Sequence, residues 1–160
     1  MVTTNLEQTI QTLEVIKDEE IAAPIDVVFE ALLEQLGPNG DTPDGSPLPM
    51  ILEPWPGGRW FRDLGNNTGH LWGHVQSIKP PGLLEIQGPL FMSAPAISHL
   101  LYRLTAEGSV TRLRFSHRAV GQLPPEIRDG VNLQKGWTHI LTKIRENAER
   151  RSSKTKHTTK

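Results

Sequence analysis

Apolar residues recur along this chain with two different periods. From Leu123 to Arg151, the residues Ile127, Val131, Trp137, Leu141, Ile144 and Ala148 fall mostly three and four positions apart, which places them on one face of a long amphipathic helix. Between Met50 and Val120 the period shortens to two. The clearest case is Val110 to Ala119, where Thr111, Leu113, Phe115, His117 and Ala119 alternate with Arg112, Arg114, Ser116 and Arg118. Such a strand buries one face and wets the other, and here the inward face carries one strongly polar side chain, His117. The run before it behaves alike, with Leu100, Tyr102 and Leu104 on one side and His99 and Arg103 mostly on the other.

The remaining elements follow from their punctuation. Thr9 to Ile21 mixes β-branched and charged residues and reads as a first strand, while Ile25, Val28, Phe29, Leu32 and Leu33 form an apolar stripe behind Pro24, a residue tolerated at a helix start. That helix should end at Gly37-Pro38. The stretch from Gly37 to Pro49, rich in proline and glycine, can hold neither helix nor central strand and is expected to be a mobile loop. Turn signals at Gly57-Gly58, Gly65-Asn66-Asn67, Pro80-Pro81-Gly82 and Glu107-Gly108-Ser109 divide the middle of the chain into five or six antiparallel strands. The fold class is therefore α+β: a curved antiparallel sheet with a long C-terminal helix laid across it and a cavity between them.

At 160 residues, 36% of them hydrophobic and 22% charged, the chain has the size and composition of one globular domain, placed at residues 9–151. Residues 1–8 are expected to be a flexible N-terminus. No apolar run approaches the roughly 20 residues of a membrane helix, so no membrane insertion is expected. The start from Met1 to Ile10 is polar and cysteine is absent, which makes the cytoplasm the expected location. Net charge is −1, but Arg151, Lys154, Lys156 and Lys160 sit in a C-terminal tail without an acid, and the body without them is about −5. A body of that sign argues against nucleic acid as a partner. The tail, residues 152–160, has no apolar residue and is expected to be disordered.

Five segments in order carry a family resemblance: Ala23-Pro24-Ile25-Asp26-Val27-Val28-Phe29; the turn Pro56-Gly57-Gly58-Arg59-Trp60; Gly73-His74-Val75 through Pro80-Pro81; the strand Thr111 to His117; and Gly136-Trp137 with Leu141 and Ile144. Together they span about Thr12 to Arg150. The chain resembles the START and Bet-v-1-like superfamily, and within it the branch similar to the activator of the heat-shock-protein-90 ATPase. The resemblance implies a helix-grip fold, and members that bind lipids, sterols, polyketides or other hydrophobic molecules, with a minority of cyclases and hydrolases. This chain departs from the pattern at Gly37 to Pro49, where a short helical segment is usual. Chaperone stimulation is not expected, because the activator's separate chaperone-binding domain has no counterpart in these residues.

His117 is the sharpest chemical candidate, able to bond a ligand or move a proton near neutral pH, against the plainer reading of a buried histidine bonded to its own fold. His70 and His74 would project to one side of a strand about 13 Å apart, too far for a shared metal ion, so no metal site is assigned. Nucleophile elbow, phosphate loop and cysteine are absent, and no cofactor is expected. Trp55, Trp60, Trp72 and Trp137 could wall a pocket or fill the core. Gly136 beside Trp137 suggests a close helix-on-sheet contact. Arg112, Arg114 and Arg118 read as a wet face paired with acids on a neighbouring strand, a face that could also serve as a homodimer surface.

Three readings result. The first is a non-enzymatic protein holding a small hydrophobic or aromatic molecule against Trp55, Trp60, Phe91, Tyr102, Phe115, His117, Trp137 and Leu141, with Leu90, Phe91 and Met92 as an adjustable wall. The second is a cyclase- or hydrolase-like enzyme with His117 as general base and Tyr102 as donor to an oxyanion. The third is a protein-interaction module with a core too well filled for any ligand.

Overall fold

The computed structural model describes residues 1–4 and 8–158, the last four by backbone alone. Parts of the N-terminal and C-terminal expectations, at residues 5–7 and 159–160, lie outside the described residues. Strand β1 (Gln11–Ile21) leads into α1 (Ile25–Leu36), then β2 (Ile51–Leu52), β3 (Arg59–Gly65), β4 (Thr68–Lys79), β5 (Leu83–Gly88), β6 (Ala96–Glu107) and β7 (Val110–Gly121). A short α2 (Pro125–Arg128) and the long α3 (Val131–Thr158) close the chain. All seven strands form one curved antiparallel sheet in the order β1-β7-β6-β5-β4-β3-β2. Only β1 leaves sequence order, crossing back to pair along its whole length with β7, from Gln11 opposite Gly121 to Ile21 opposite Thr111.

The period-two pattern decides which face is buried. Leu100, Tyr102, Leu104, Leu113, Phe115 and His117 all point inward at 4% exposure or less. On the outer face the arginines meet acids of β1: Arg112 and Arg114 reach Asp18 at 2.9 and 3.5 Å, and Arg118 reaches Glu14 at 2.8 Å. The arginine row is thus the wet, paired face that alternation implies.

Helix α1 buries Val28, Phe29, Leu32 and Leu36 against the sheet. Its C-terminal carbonyl at Leu36 accepts a hydrogen bond from the Trp60 indole at 2.7 Å, which satisfies one of the orphan acceptors a helix end leaves. The Gly37–Pro49 segment is more ordered than its composition implies. Its arms form a small antiparallel turn, with Leu48 N–H donating to Gly40 at 2.8 Å and Met50 N–H to Gly37 at 2.9 Å.

The C-terminal helix differs from its expected course at both ends. The helix is broken at Gly130, which adopts φ +74°, a conformation that costs glycine little. Ile127 therefore belongs to α2, and Val131, expected on the buried face, is 57% exposed. The buried stripe of α3 is instead Leu133, Trp137, Leu141, Ile144 and Ala148. At the far end α3 continues to Thr158 through residues expected to be disordered: Ser152 is buried and Arg151 pairs with Glu34 of α1. Tertiary contacts at Arg151 and Ser152 hold the helix where the polar segment begins.

Candidate functional site

Where α3 begins, it stands away from the sheet and leaves a cavity of about 300 Å³. Its walls come from five parts of the chain. Helix α3 supplies Asn132, Leu133, Gly136, Trp137 and Ile140; α2 supplies Glu126 and Ile127; the loop after α1 supplies Asp41, Thr42, Pro43 and Leu48; Trp72 of β4 and Phe91, from the β5–β6 connection, complete it. Gly136 is not the close contact its neighbourhood in sequence suggests, because a Cβ built there meets nothing within 4 Å. The glycine leaves empty space where another residue would fill it.

The aromatic walls belong to two stacked series. Trp72 packs edge-on to both Trp60 and Phe91, with centroids 5.1 and 5.6 Å apart. Trp137 packs on Phe115 at 4.8 Å, and Phe115 on Tyr102 at 4.9 Å. Behind Trp137 lies His117, fully buried. Trp137 Nε1–H donates to His117 Nδ1 at 3.0 Å, so Nδ1 is an acceptor and the ring proton sits on Nε2, which donates to Ser98 Oγ at 2.7 Å. Burial pushes the imidazole pKa down to about 4, and His117 is neutral at physiological pH.

The loop wall is pinned through Asp41. Its Oδ1 accepts from Gln35 Nε2 at 2.9 Å and from His139 Nε2 at 2.7 Å, tying α1 and α3 together. Lys143 lies 4.0 Å from Oδ2. Burial acts to raise the Asp41 pKa, but the hydrogen bonds from His139 and Gln35 and the charges of His139 and Lys143 outweigh it. The carboxyl is held below its ordinary value and stays ionised at neutral pH.

Of the residues picked from sequence, Phe91 and Trp137 line this cavity. Tyr102, Phe115, His117 and Leu141 lie in the core, each 1% exposed or less and none of them on its wall. Trp60 is core, at 2% exposure, and Trp55 is 54% exposed on a turn outside the sheet. Of the adjustable wall, only Phe91 reaches the cavity; Leu90 and Met92 are buried. The catalytic arrangement also fails to form: both His117 nitrogens are already bonded within the fold, and neither His117 nor Tyr102 borders the cavity. The Tyr102 hydroxyl is buried with no hydrogen-bond partner among the described residues, and burial raises its pKa far above the usual phenol range. Among the described residues, no group of three or more His, Cys, Asp or Glu could hold a metal ion, and no helix is long and apolar enough to cross a membrane.

Sequence reasoning named Trp72 as a possible pocket wall without choosing it as a site residue, and it missed Leu48, Leu133 and Ile140. The last two were within reach, since Leu133, Trp137 and Ile140 follow the four-and-three spacing of one helical face. The face on which Trp72 lies was not, because the register shifts between Trp60/Gly73 and Phe61/Leu71, leaving Trp72 as an extra residue that breaks simple alternation.

This arrangement is that of a known family, whose model, Activator of Hsp90 ATPase homolog 1-like protein, matches residues 22–149. The chain belongs to that family. No curated protein matches the sequence. Among solved structures, an uncharacterised protein from Rhizobium leguminosarum is similar at a TM-score of 0.67 and 22% identity, over 89% of this chain and 97% of that one. Protein NE0264 from Nitrosomonas europaea is similar at 0.64 and 17%, over 88% and 97%. Ara h 8.0201 is similar at 0.57 and 14%, over 88% and 98%. At such identities the likeness is one of fold, and the fold is the Bet v 1-like helix grip expected for this Hsp90-activator-like family.

Proposed function

We propose that this protein binds a small hydrophobic molecule in the cavity between the start of α3, the loop after α1 and the Trp72–Phe91 wall. The observation that carries the reading is the cavity itself, about 300 Å³ and walled by Trp72, Phe91, Leu133, Trp137 and Ile140. That volume lies at the lower end of the roughly 300–1,000 Å³ typical of ligand sites. Burial of the ligand's apolar surface, at about 25 cal/mol per Å², supplies the affinity. His117 contributes at one remove, by fixing the Trp137 ring through the indole N–H bond, and not as a general base. A filled core, which an interaction module would present, is not what surrounds Gly136.

Gly136→Leu tests the reading because Gly136 lines the cavity and a Cβ built there meets nothing within 4 Å, so the larger side chain starts into open space. The neutral fluorescent probe N-phenylnaphthylamine should bind the wild type saturably and lose at least about tenfold in affinity to the variant. Unchanged binding in Gly136→Leu, with both proteins equally folded by circular dichroism, would sink it.

A further inference from the structure

The charge of the cavity lining is one-sided. Asp41 and Glu126 are its charged residues, and no Lys, Arg or His lines it. Asp41 is partly compensated from behind, by His139 at 2.7 Å and Lys143 at 4.0 Å, although neither reaches the cavity wall. Glu126 is exposed on α2 and makes no ion pair among the described residues. The charged side chains that a ligand between Trp72, Phe91 and Trp137 can meet on this wall are thus both carboxylates. An anionic end there would be repelled by these carboxylates, less so at high salt. An ammonium end would be attracted by the carboxylates and, where it passed a ring face, by the aromatic quadrupole.

We propose that the cavity selects an apolar, preferably aromatic, molecule ending in an ammonium group, with that group held at the Asp41–Glu126 mouth between Trp72, Phe91 and Trp137. The inference rests on the hydrophobic-cavity reading and adds the ligand's charge to it. It excludes fatty acids and aromatic carboxylates as preferred ligands. Glu126 is the specificity-determining charge, because it alone of the two acids has no role in holding the loop to α1 and α3.

The test is isothermal titration of three probes with one apolar body: naphthylethanol, naphthylethylamine and naphthylacetate. The expected order is ammonium, then alcohol, then carboxylate, with about tenfold between the extremes and a smaller gap at high salt. Glu126→Lys, at an exposed position of α2, should close or invert the gap between the ammonium and the carboxylate. Binding of the alcohol with equal or tighter binding of the carboxylate would overturn the charge assignment and leave the cavity reading standing. A gap unchanged by Glu126→Lys would overturn the role of Glu126. Absence of binding by all three, the alcohol included, would overturn the cavity reading and this inference with it.

Discussion

From Leu141 to Ser152, α3 is sealed against α1 and β1, whereas from Val131 to Ile140 the same helix roofs a cavity. In the sealed half Leu141, Ile144 and Ala148 are at most 1% exposed. Polar contacts tie the ends together: Arg145 to Glu19 of β1 at 3.0 Å, Glu149 Oε1 accepting from the Ala22 backbone at 3.1 Å, and Arg151 to Glu34. The open half has a glycine facing empty space and an exposed Val131. One helix can therefore be anchored by its C-terminal half while its N-terminal half holds a void, which costs dispersion contacts and would be closed if stability alone were at stake.

The contrast is most sharply broken by truncation. Ile144→Ala, at a fully buried position, should cost about 2–5 kcal/mol in denaturant unfolding, while Ile140→Ala, beside the cavity, should cost less than half as much. Equal costs would mean that the two halves are packed alike.

Acid should act next, at the junction of the halves. The unfolded chain's histidine titrates near 6.5, but His117 is held neutral down to about 4, so between those values the unfolded state binds the extra proton and the folded state refuses it. Stability is full above pH 7 and falls as pH drops through that window, by about 3 kcal/mol at most. An imidazolium has an N–H on both nitrogens and cannot accept from Trp137, so in the folded protein indole emission should hold steady through that window and change only as pH reaches about 4. In His117→Gln the part of the pH slope due to this residue should vanish; an unchanged slope would show that other groups cause it.

Smaller still is the effect of closing the void by one methyl. Gly136→Ala meets no neighbour and removes a poor helix former, so the protein should gain up to about 1 kcal/mol in thermal unfolding. A loss would mean that the backbone needs glycine there. The least effect belongs to the outer face: Arg118→Ala, whose bridge to Glu14 is 64% and 51% exposed at its two ends, should change stability by no more than about half a kcal/mol.

How much of this was legible depends on whether the signal was local. Alternation along Val110 to Ala119 identified the inward row and the arginine face correctly, since a strand's two faces are set by its own pleat. Phe91 and Trp137, picked for their type and neighbourhood, do line the cavity. His117 was found as the inward polar group of its strand, but its bonds to Ser98 and Trp137, both from other elements, turned a base candidate into a brace. Trp72 was named only as one of four tryptophans and not chosen, because a bulge interrupts the period that would have assigned it a face.

The sequence by itself determined the class of fold, the order of its elements and the helix that grips the sheet, because period, turn residues and breakers act within a few positions of one another. Tertiary structure alone decided where the cavity lies, that Gly136 opens it, that Asp41 pins its loop wall, and that α3 runs on past Arg151. Each of these depends on the distance between elements far apart in the chain, and that distance is set by the packing of the whole core rather than by any segment in it.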